Sequence, residues 1–293
     1  MAGEDHNGPV TSEDPYTVVW SEQTAHLGRI AGEEAGWYAA TAAALVRPGD
    51  RLAVDVGCGG AGMTRALAAA LGPEGRAVGV DGEPAILAAA KERAPHLDFV
   101  VADLDGDLAD LRAALGEPAD LVWASASVHH AGDQQAAVDA LVRLLGPGGR
   151  LALAEGGLPA RHLPWDVGIG DPGLEVRLDA AQDRWFASMR AGLPGAVRMP
   201  YGWSECLRRA GLVEVTARTT LFERELPLTD AEVNRVLDKL AHRVDHLRPA
   251  GLLDPADLDA WDRLLDSGDT AWLGLRDDIH WLDARTVHIG IRS

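Results

Sequence analysis

Three aspartates close successive short apolar runs: Asp55, Asp81 and Asp103. Asp55 leads directly into Val56-Gly57-Cys58-Gly59-Gly60-Ala61-Gly62. Glycines in such a turn let backbone approach a ligand and adopt angles that side chains forbid. A helix opening there adds unpaired N–H groups and the positive end of a dipole. Gly57, Gly59 and Gly62 also match the GxGxxG spacing of dinucleotide folds, so the glycines leave that reading open. Asp55 bears on the choice. A carboxylate at the end of an apolar strand needs a partner. The ammonium group of an amino-acid ligand suits it, whereas a pyrophosphate is repelled. Asp81 is placed to accept both hydroxyls of a ribose, and Asp103 to accept from an adenine amino group.

These residues have to be held by strand–turn–helix units, and the pattern provides them. Arg51–Val56, Ala77–Val80, Leu97–Ala102, Leu121–Ser125 and Arg150–Ala154 read as strands. Helices at Met63–Leu71, Pro84–Arg93, Ala109–Leu115 and Gln134–Leu145 alternate with them. Short continuous apolar strands between amphipathic helices indicate a parallel α/β sheet buried on both faces, doubly wound. One helix is expected before the first strand, from about Glu22 to Val46. After Gly157 the rhythm breaks, with a helix expected at Asp179–Ala191, then helix and strand at Trp203–Ala210 and Val213–Thr219. Thr229 and Glu232 form a capping box for a further helix, and Asp254-Pro255 starts another. Thr286–Ile291 reads as the last strand. The expected organisation is a disordered tail at 1–15, an N-terminal helical cap at 16–47 and a ligand-binding core at 48–157. A lid insertion follows at 158–200, the rest of the core at 201–225 and 283–293, and a helical insertion at 226–282.

Val54-Asp55-Val56-Gly57-Cys58-Gly59 resembles the first motif of class I S-adenosylmethionine (SAM)-dependent methyltransferases of the small-molecule type. Gly79-Val80-Asp81 looks like their ribose-binding strand end, and Ala102-Asp103-Leu104 like their adenine contact. Asp120–Ser125, running on to His129-His130, is similar to their fourth motif, and Leu145–Leu151 matches the turn before their fifth strand. The resemblance covers about residues 45–157. It implies SAM as cofactor and a mostly parallel seven-stranded sheet whose last strand is antiparallel. Carried onto this chain, it implies donor contacts at Asp55, Gly57, Cys58, Gly59, Asp81, Gly82, Asp103, Leu104 and Ser125. The stretch from Leu226 to Leu282 departs from a minimal member of the family.

Methyl transfer from a sulfonium is an in-line displacement, so the protein mainly aligns the acceptor and excludes water. A base is needed only where the acceptor must lose a proton. His129 and His130 after the fourth strand, and Glu155 after the fifth, are the candidates. Tryptophan outnumbers phenylalanine nine to three, and most of it lies in the helical additions, where it either walls an acceptor pocket or staples helices to the sheet. His242 and His246 stand four apart on a helix, but no third ligand is obvious and no metal site is expected. After Asp103, the acidic run to Asp107 reads as a solvated loop.

The formal charge of −18 sets a repulsive surface against nucleic acid and anionic membranes. Two cysteines without a CxxC neighbour argue against a disulfide framework. With neither a signal-peptide core nor a membrane-length apolar stretch, a cytoplasmic monomer or homodimer is expected. The leading reading is methylation of a small or medium-sized metabolite, with oxygen favoured and secondary metabolism as the setting. A peptide acceptor, through its carboxylate, is the first alternative. An NAD-linked oxidoreductase sharing the glycine turn is the second.

Overall fold

The computed structural model of the chain describes residues 14–106 and 108–293. Of the expected tail, residues 1–13 lie outside the described residues, as does Asp107 of the acidic run. The chain forms two units.

The larger unit holds Trp20–His162, Leu193–Leu228 and His280–Ser293. Its strands are β1 (Leu52–Val56), β2 (Arg76–Asp81), β3 (Asp98–Val101), β4 (Ala119–Ser125), β5 (Leu145–Ala154), β6 (Leu158–Arg161), β7 (Val213–Glu223) and β8 (Leu282–Ile291). They lie in the order β3-β2-β1-β4-β5-β8-β6, with β7 on the other side of β8. The first five strands are parallel, and β8 runs antiparallel to β5, β6 and β7. The short β6 makes the sheet eight-stranded where seven strands were expected. Its Gly156-Gly157 approach, with both residues at positive φ, masks it in the sequence. Strand β1 is buried at every position, as a central parallel strand requires.

Helices α1 (Thr24–Glu33), α2 (Ala35–Leu45), α3 (Gly62–Leu71), α4 (Pro84–Arg93), α5 (Ala109–Leu115), α6 (Gln134–Leu144) and α8 (Trp203–Arg209) belong to the same unit. The expected single N-terminal helix breaks at Glu34, which leaves helical geometry (φ −97°, ψ 6°). The break turns Glu34 toward Arg285, with which it forms a paired carboxylate–guanidinium contact. Trp37 packs on Trp123 and Phe222, at ring-centre distances of 5.8 and 6.3 Å, and thereby fixes α2 to the sheet. On the opposite face Leu141, Leu144, Cys206 and Leu207 of α6 and α8 meet Val54, Val122 and Leu153 in one apolar core.

The smaller unit comprises residues 14–19, Leu163–Gly192 and Thr229–Ile279. Its helices are α7 (Leu174–Gly192), α9 (Asp230–Leu247) and α10 (Pro255–Leu265). Thr229 caps α9 in a reciprocal capping box with Glu232. Asp254 caps α10 through the N–H of Ala256. Val236, Leu240, Val244 and Leu247 line one buried stripe of α9, at helical spacing. Helix α7 starts five residues earlier than expected, because Leu174 and Leu178 extend its buried face. Part-buried ion pairs join its helices: Arg243 with Asp179 at 2.6 Å, and Arg177 with Asp257 at 2.7 Å. Among the described residues, no helix is long and apolar enough to cross a membrane.

Candidate active site

The parallel register brings the three aspartates to one end of the sheet. Asp55 pairs across to Gly79 of β2, and Asp81 pairs to Val101 of β3. Asp55 is buried at 2% exposure, inside β1 and not at its tip. The Thr64 hydroxyl, in the first turn of α3, donates to Asp55 Oδ2 at 2.6 Å. Burial raises the Asp55 carboxyl to about 7; the bonds from Thr64 oppose the rise and the nearby Asp81 adds to it. Asp81 Oδ2 accepts from Gly59 N–H at 3.1 Å, and Oδ1 from Glu83 N–H at 3.1 Å. Burial raises its pKa as well, against those backbone bonds. The glycine turn is therefore folded around the Asp81 carboxylate.

The glycines of the turn divide their work. Gly57 and Gly59 have φ of 71° and 48°, which favours glycine. A Cβ on Gly57 would lie 2.4 Å from Ser127 Cβ, so this glycine admits the loop after β4. A Cβ on Gly60 would lie 2.4 Å from Leu27 O, and one on Gly62 2.7 Å from Tyr38. Those two glycines admit α1 and α2, not a ligand. Cys58 is buried, and burial pushes its thiol well up, so it is a packed neutral group. Gly82 is less confined: a Cβ there would lie 3.7 Å from Ala102 O, an ordinary contact distance.

Asp103 is exposed on the loop after β3, with Leu104 half-buried beside it. Asp103 Oδ1 accepts from Asp105 N–H at 3.0 Å. The loop is not merely solvated, because Asp105 Oδ1 accepts from Gly132 N–H at 2.8 Å. Ser125 ends β4, and Ala126 follows at a φ of 48°. This non-glycine in left-handed backbone turns the chain sharply into Ser127–His130.

Glu155, at 1% exposure, organises that segment. Its Oε1 accepts from the N–H groups of Ser127 and Val128, each at 2.8 Å. Its Oε2 lies 2.6 Å from His129 Nδ1. Ser127 also donates its hydroxyl to Val56 O at 3.2 Å, which joins β1 to the β4 loop. The His130 ring meets His129 at 4.2 Å and Trp20 edge-on at 4.7 Å. On β8, His288 Nδ1 lies 2.9 Å from Ser204 Oγ, and burial lowers its pKa against the pull of Glu155.

Sequence reasoning missed Thr64, Asp105 and Ser127. Thr64 was legible in principle, as the polar residue in the first turn of the helix after Asp55. Ser127 and Asp105 carry no spacing signal, because their partners are 71 and 27 residues away. Asp120, part of the fourth motif, accepts from the N–H groups of Arg51 and Leu52 at the other end of the sheet. His242 and His246 stand in the smaller unit with ring centres 6.4 Å apart. Among the described residues, no group of three His, Cys, Asp or Glu side chains is placed to hold a metal ion.

The donor set fits an adenosyl amino acid. Carboxylates accept from ribose hydroxyls and pair with an ammonium group, and they repel a pyrophosphate. Asp55 is a buried carboxyl group bonded to Thr64, and Asp81 a carboxylate held by two backbone N–H groups.

Comparison with known proteins agrees. Residues 54–151 match the model of a methyltransferase domain. The trans-aconitate 2-methyltransferase of Methylobacterium radiotolerans is 32% identical over 240 residues, covering 74% of this chain and 78% of that one. The nocamycin O-methyltransferase of Saccharothrix syringae is 34% identical over 197 residues, covering 64% and 68%. A chain from the solved complex of the Haloferax volcanii Trm112 methyltransferase activator with a methyltransferase shares the fold. It has a TM-score of 0.50 and 18% identity over 94% of this chain and 98% of that one. With the glycine turn, the strand-end carboxylates and these relatives together, the chain belongs to the class I S-adenosylmethionine-dependent methyltransferases.

Proposed function

We propose that this methyltransferase acts on an oxygen of a small metabolite, with His129 as the base and Glu155 as the group that positions it. The observation that carries this reading is the 2.6 Å contact between His129 Nδ1 and Glu155 Oε2. A carboxylate accepts, so Nδ1 carries the proton and donates to it, and Nε2 carries the lone pair. When bound, SAM supplies an electrophilic methyl group on a sulfonium. The chain's residues do the rest. Asp55 would hold the ammonium of the donor, Asp81 its ribose and Asp103 its adenine. His129 Nε2 would receive the acceptor's O–H proton as the methyl–oxygen bond forms and the methyl–sulfur bond breaks, the sulfur leaving as a neutral thioether, and the buried Glu155 would stabilise the resulting imidazolium. Glu155 itself, buried and bonded to three groups, acts through His129 and not on the acceptor. His130, tilted against His129 and edge-on to Trp20, limits where the His129 ring can sit.

The likeness to a nocamycin O-methyltransferase supports an oxygen acceptor, and together with that to a trans-aconitate 2-methyltransferase it supports a small-metabolite substrate. The same relatives favour SAM over a nicotinamide as the cofactor.

The test is a mass-spectrometric assay with SAM and a panel of trans-aconitate, hydroxy acids, phenols and a short peptide acid. An O-methylated product is expected from a small acceptor. With that acceptor, Glu155→Gln and His129→Ala should each lower kcat about 10–100-fold. S-adenosylhomocysteine affinity should stay within about threefold, since the proposal assigns neither residue to the donor. A product methylated on nitrogen or carbon would overturn the oxygen assignment, and full activity in both variants would remove the base.

A further inference from the structure

Carboxylates hold the histidine segment at both of its ends. Glu155 takes the N–H groups of Ser127 and Val128 at the start. At the far end, Asp105 Oδ1 takes the Gly132 N–H at 2.8 Å. Gly132 is buried and closely confined. A Cβ there would lie 2.2 Å from Pro194 O, and its carbonyl accepts from Val197 N–H at 3.0 Å. Asp105, by contrast, stands on the exposed loop after β3, and Asp103 shapes that loop. Asp103 Oδ1 accepts from Asp105 N–H at 3.0 Å, and its carbonyl accepts from Gly106 N–H at 3.1 Å. The side chain that reaches the histidine segment is thus aimed by the residue read as the adenine contact.

We infer that Asp105 is a positioning residue that couples the two halves of the site, so that a ligand ordering the Asp103–Gly106 turn also sets the His129–His130 segment. The inference rests on the adenine reading of Asp103. Its physical basis is the Asp105–Gly132 bond, which ties together two loops that follow different strands. A buried N–H that loses its acceptor must find another, and the backbone shifts to provide one. Because Gly132 is three residues from His129 and is fixed on its other side by Val197, that shift is taken up in the histidine segment. Two sites biasing one shared element is the condition for thermodynamic coupling between them.

The test uses the full chain and S-adenosylhomocysteine as probe. It follows the imidazole signals of His129 and His130 by NMR, and exchange of the Gly132 amide. In the wild type, the ligand should shift the ring signals and slow the amide. Asp105→Ala should bind the ligand within about threefold of wild type, yet lose most of the ring shift and the amide protection. Asp105→Asn keeps an oxygen acceptor and should restore both, which loss of charge alone would not do. If Asp105→Ala does not fold, Asp105→Glu, with its oxygen displaced by one methylene, replaces it with the same expected loss. An undiminished ligand response in the alanine (or glutamate) variant overturns the coupling, as does an asparagine variant that responds no better than alanine. Asp103→Ala separates the underlying reading: unchanged ligand affinity there rejects the adenine contact, while the Asp105 variants still judge the tie itself.

Discussion

At the scale of single residues, Asp55 carries a burial cost inside β1. It is buried, and its carboxyl is raised to about 7 chiefly by burial. A raised folded-state pKa means that the native state holds a proton which the unfolded state releases near the ordinary carboxylate range. The stability this contributes is full below that range and is lost as pH rises through about 7. Asp55→Asn cannot ionise, and its amide oxygen still accepts from Thr64. The ligand-free variant should therefore melt several degrees above wild type near pH ~8, with the gap narrowing as pH falls and closing only near pH ~4, in the ordinary carboxylate range. Calorimetry at the two pH values checks this, and an equal gap at both would reject the buried titration. On the proposed reading of Asp55 as the partner of the donor's ammonium, the same variant should also bind SAM more weakly. A residue that destabilises the empty fold and serves the ligand is the trade a binding site makes.

At the scale of elements, the glycine turn is a three-way junction. It wraps the Asp81 carboxylate through Gly59, admits the β4 loop at Gly57, and seats α1 and α2 at Gly60 and Gly62. Arg93 adds a tie from α4, donating to Thr24 O at 3.1 Å. The N-terminal helices thus rest directly on the donor turn, through contacts only glycine permits. Gly60→Ala should cost about 1–3 kcal/mol of stability, since the clash is with backbone at Leu27 O. Gly36→Ala, in α2, meets nothing within 4 Å and should instead stabilise by about 0.5–1 kcal/mol. Urea unfolding of both variants measures the contrast. Equal effects would mean that α1 does not sit on the turn. The spacing of the glycines was readable in the sequence, but their division of labour was not: a GxGGxG string has the same letters whether a phosphate, a helix or a loop occupies the space beside each residue.

At the scale of the whole molecule, the charge of −18 is spread over a chain whose arginines are largely committed. Arg150 pairs with Asp50, Arg285 with Glu34, Arg177 with Asp257 and Arg243 with Asp179. With many cations engaged locally, the remaining acids repel one another across the surface. Raising ionic strength from about 10 to about 150 mM shortens the screening length from about 30 to about 8 Å. The melting temperature should rise by a few degrees over that range, as differential scanning fluorimetry would show. A fall would mean that the ion pairs, and not the excess acid, dominate the electrostatics. The organisation into two units, with residues 14–19 joining two distant segments in the helical unit, has no counterpart in the linear reading. Its joints are long-range: Trp185 Nε1 donates to Pro15 O at 2.8 Å across 170 residues.

The sequence alone determined the parallel α/β core, its strand order of appearance, the glycine turn after β1 and the family. Those features are local: burial on both faces makes each strand a continuous apolar run, a helix needs a periodic face and a cap, and a tight turn needs glycine. The tertiary structure alone decided that Glu155 is a clamp for His129, that Asp105 reaches Gly132, that Thr64 answers Asp55, and that two glycines serve helices. It also added β6. Each of those depends on which groups meet after the sheet has formed, across separations that no periodicity records. A carboxylate's chemistry is written in its residue type, but its role is set by the donors that the fold brings within about 3 Å of it.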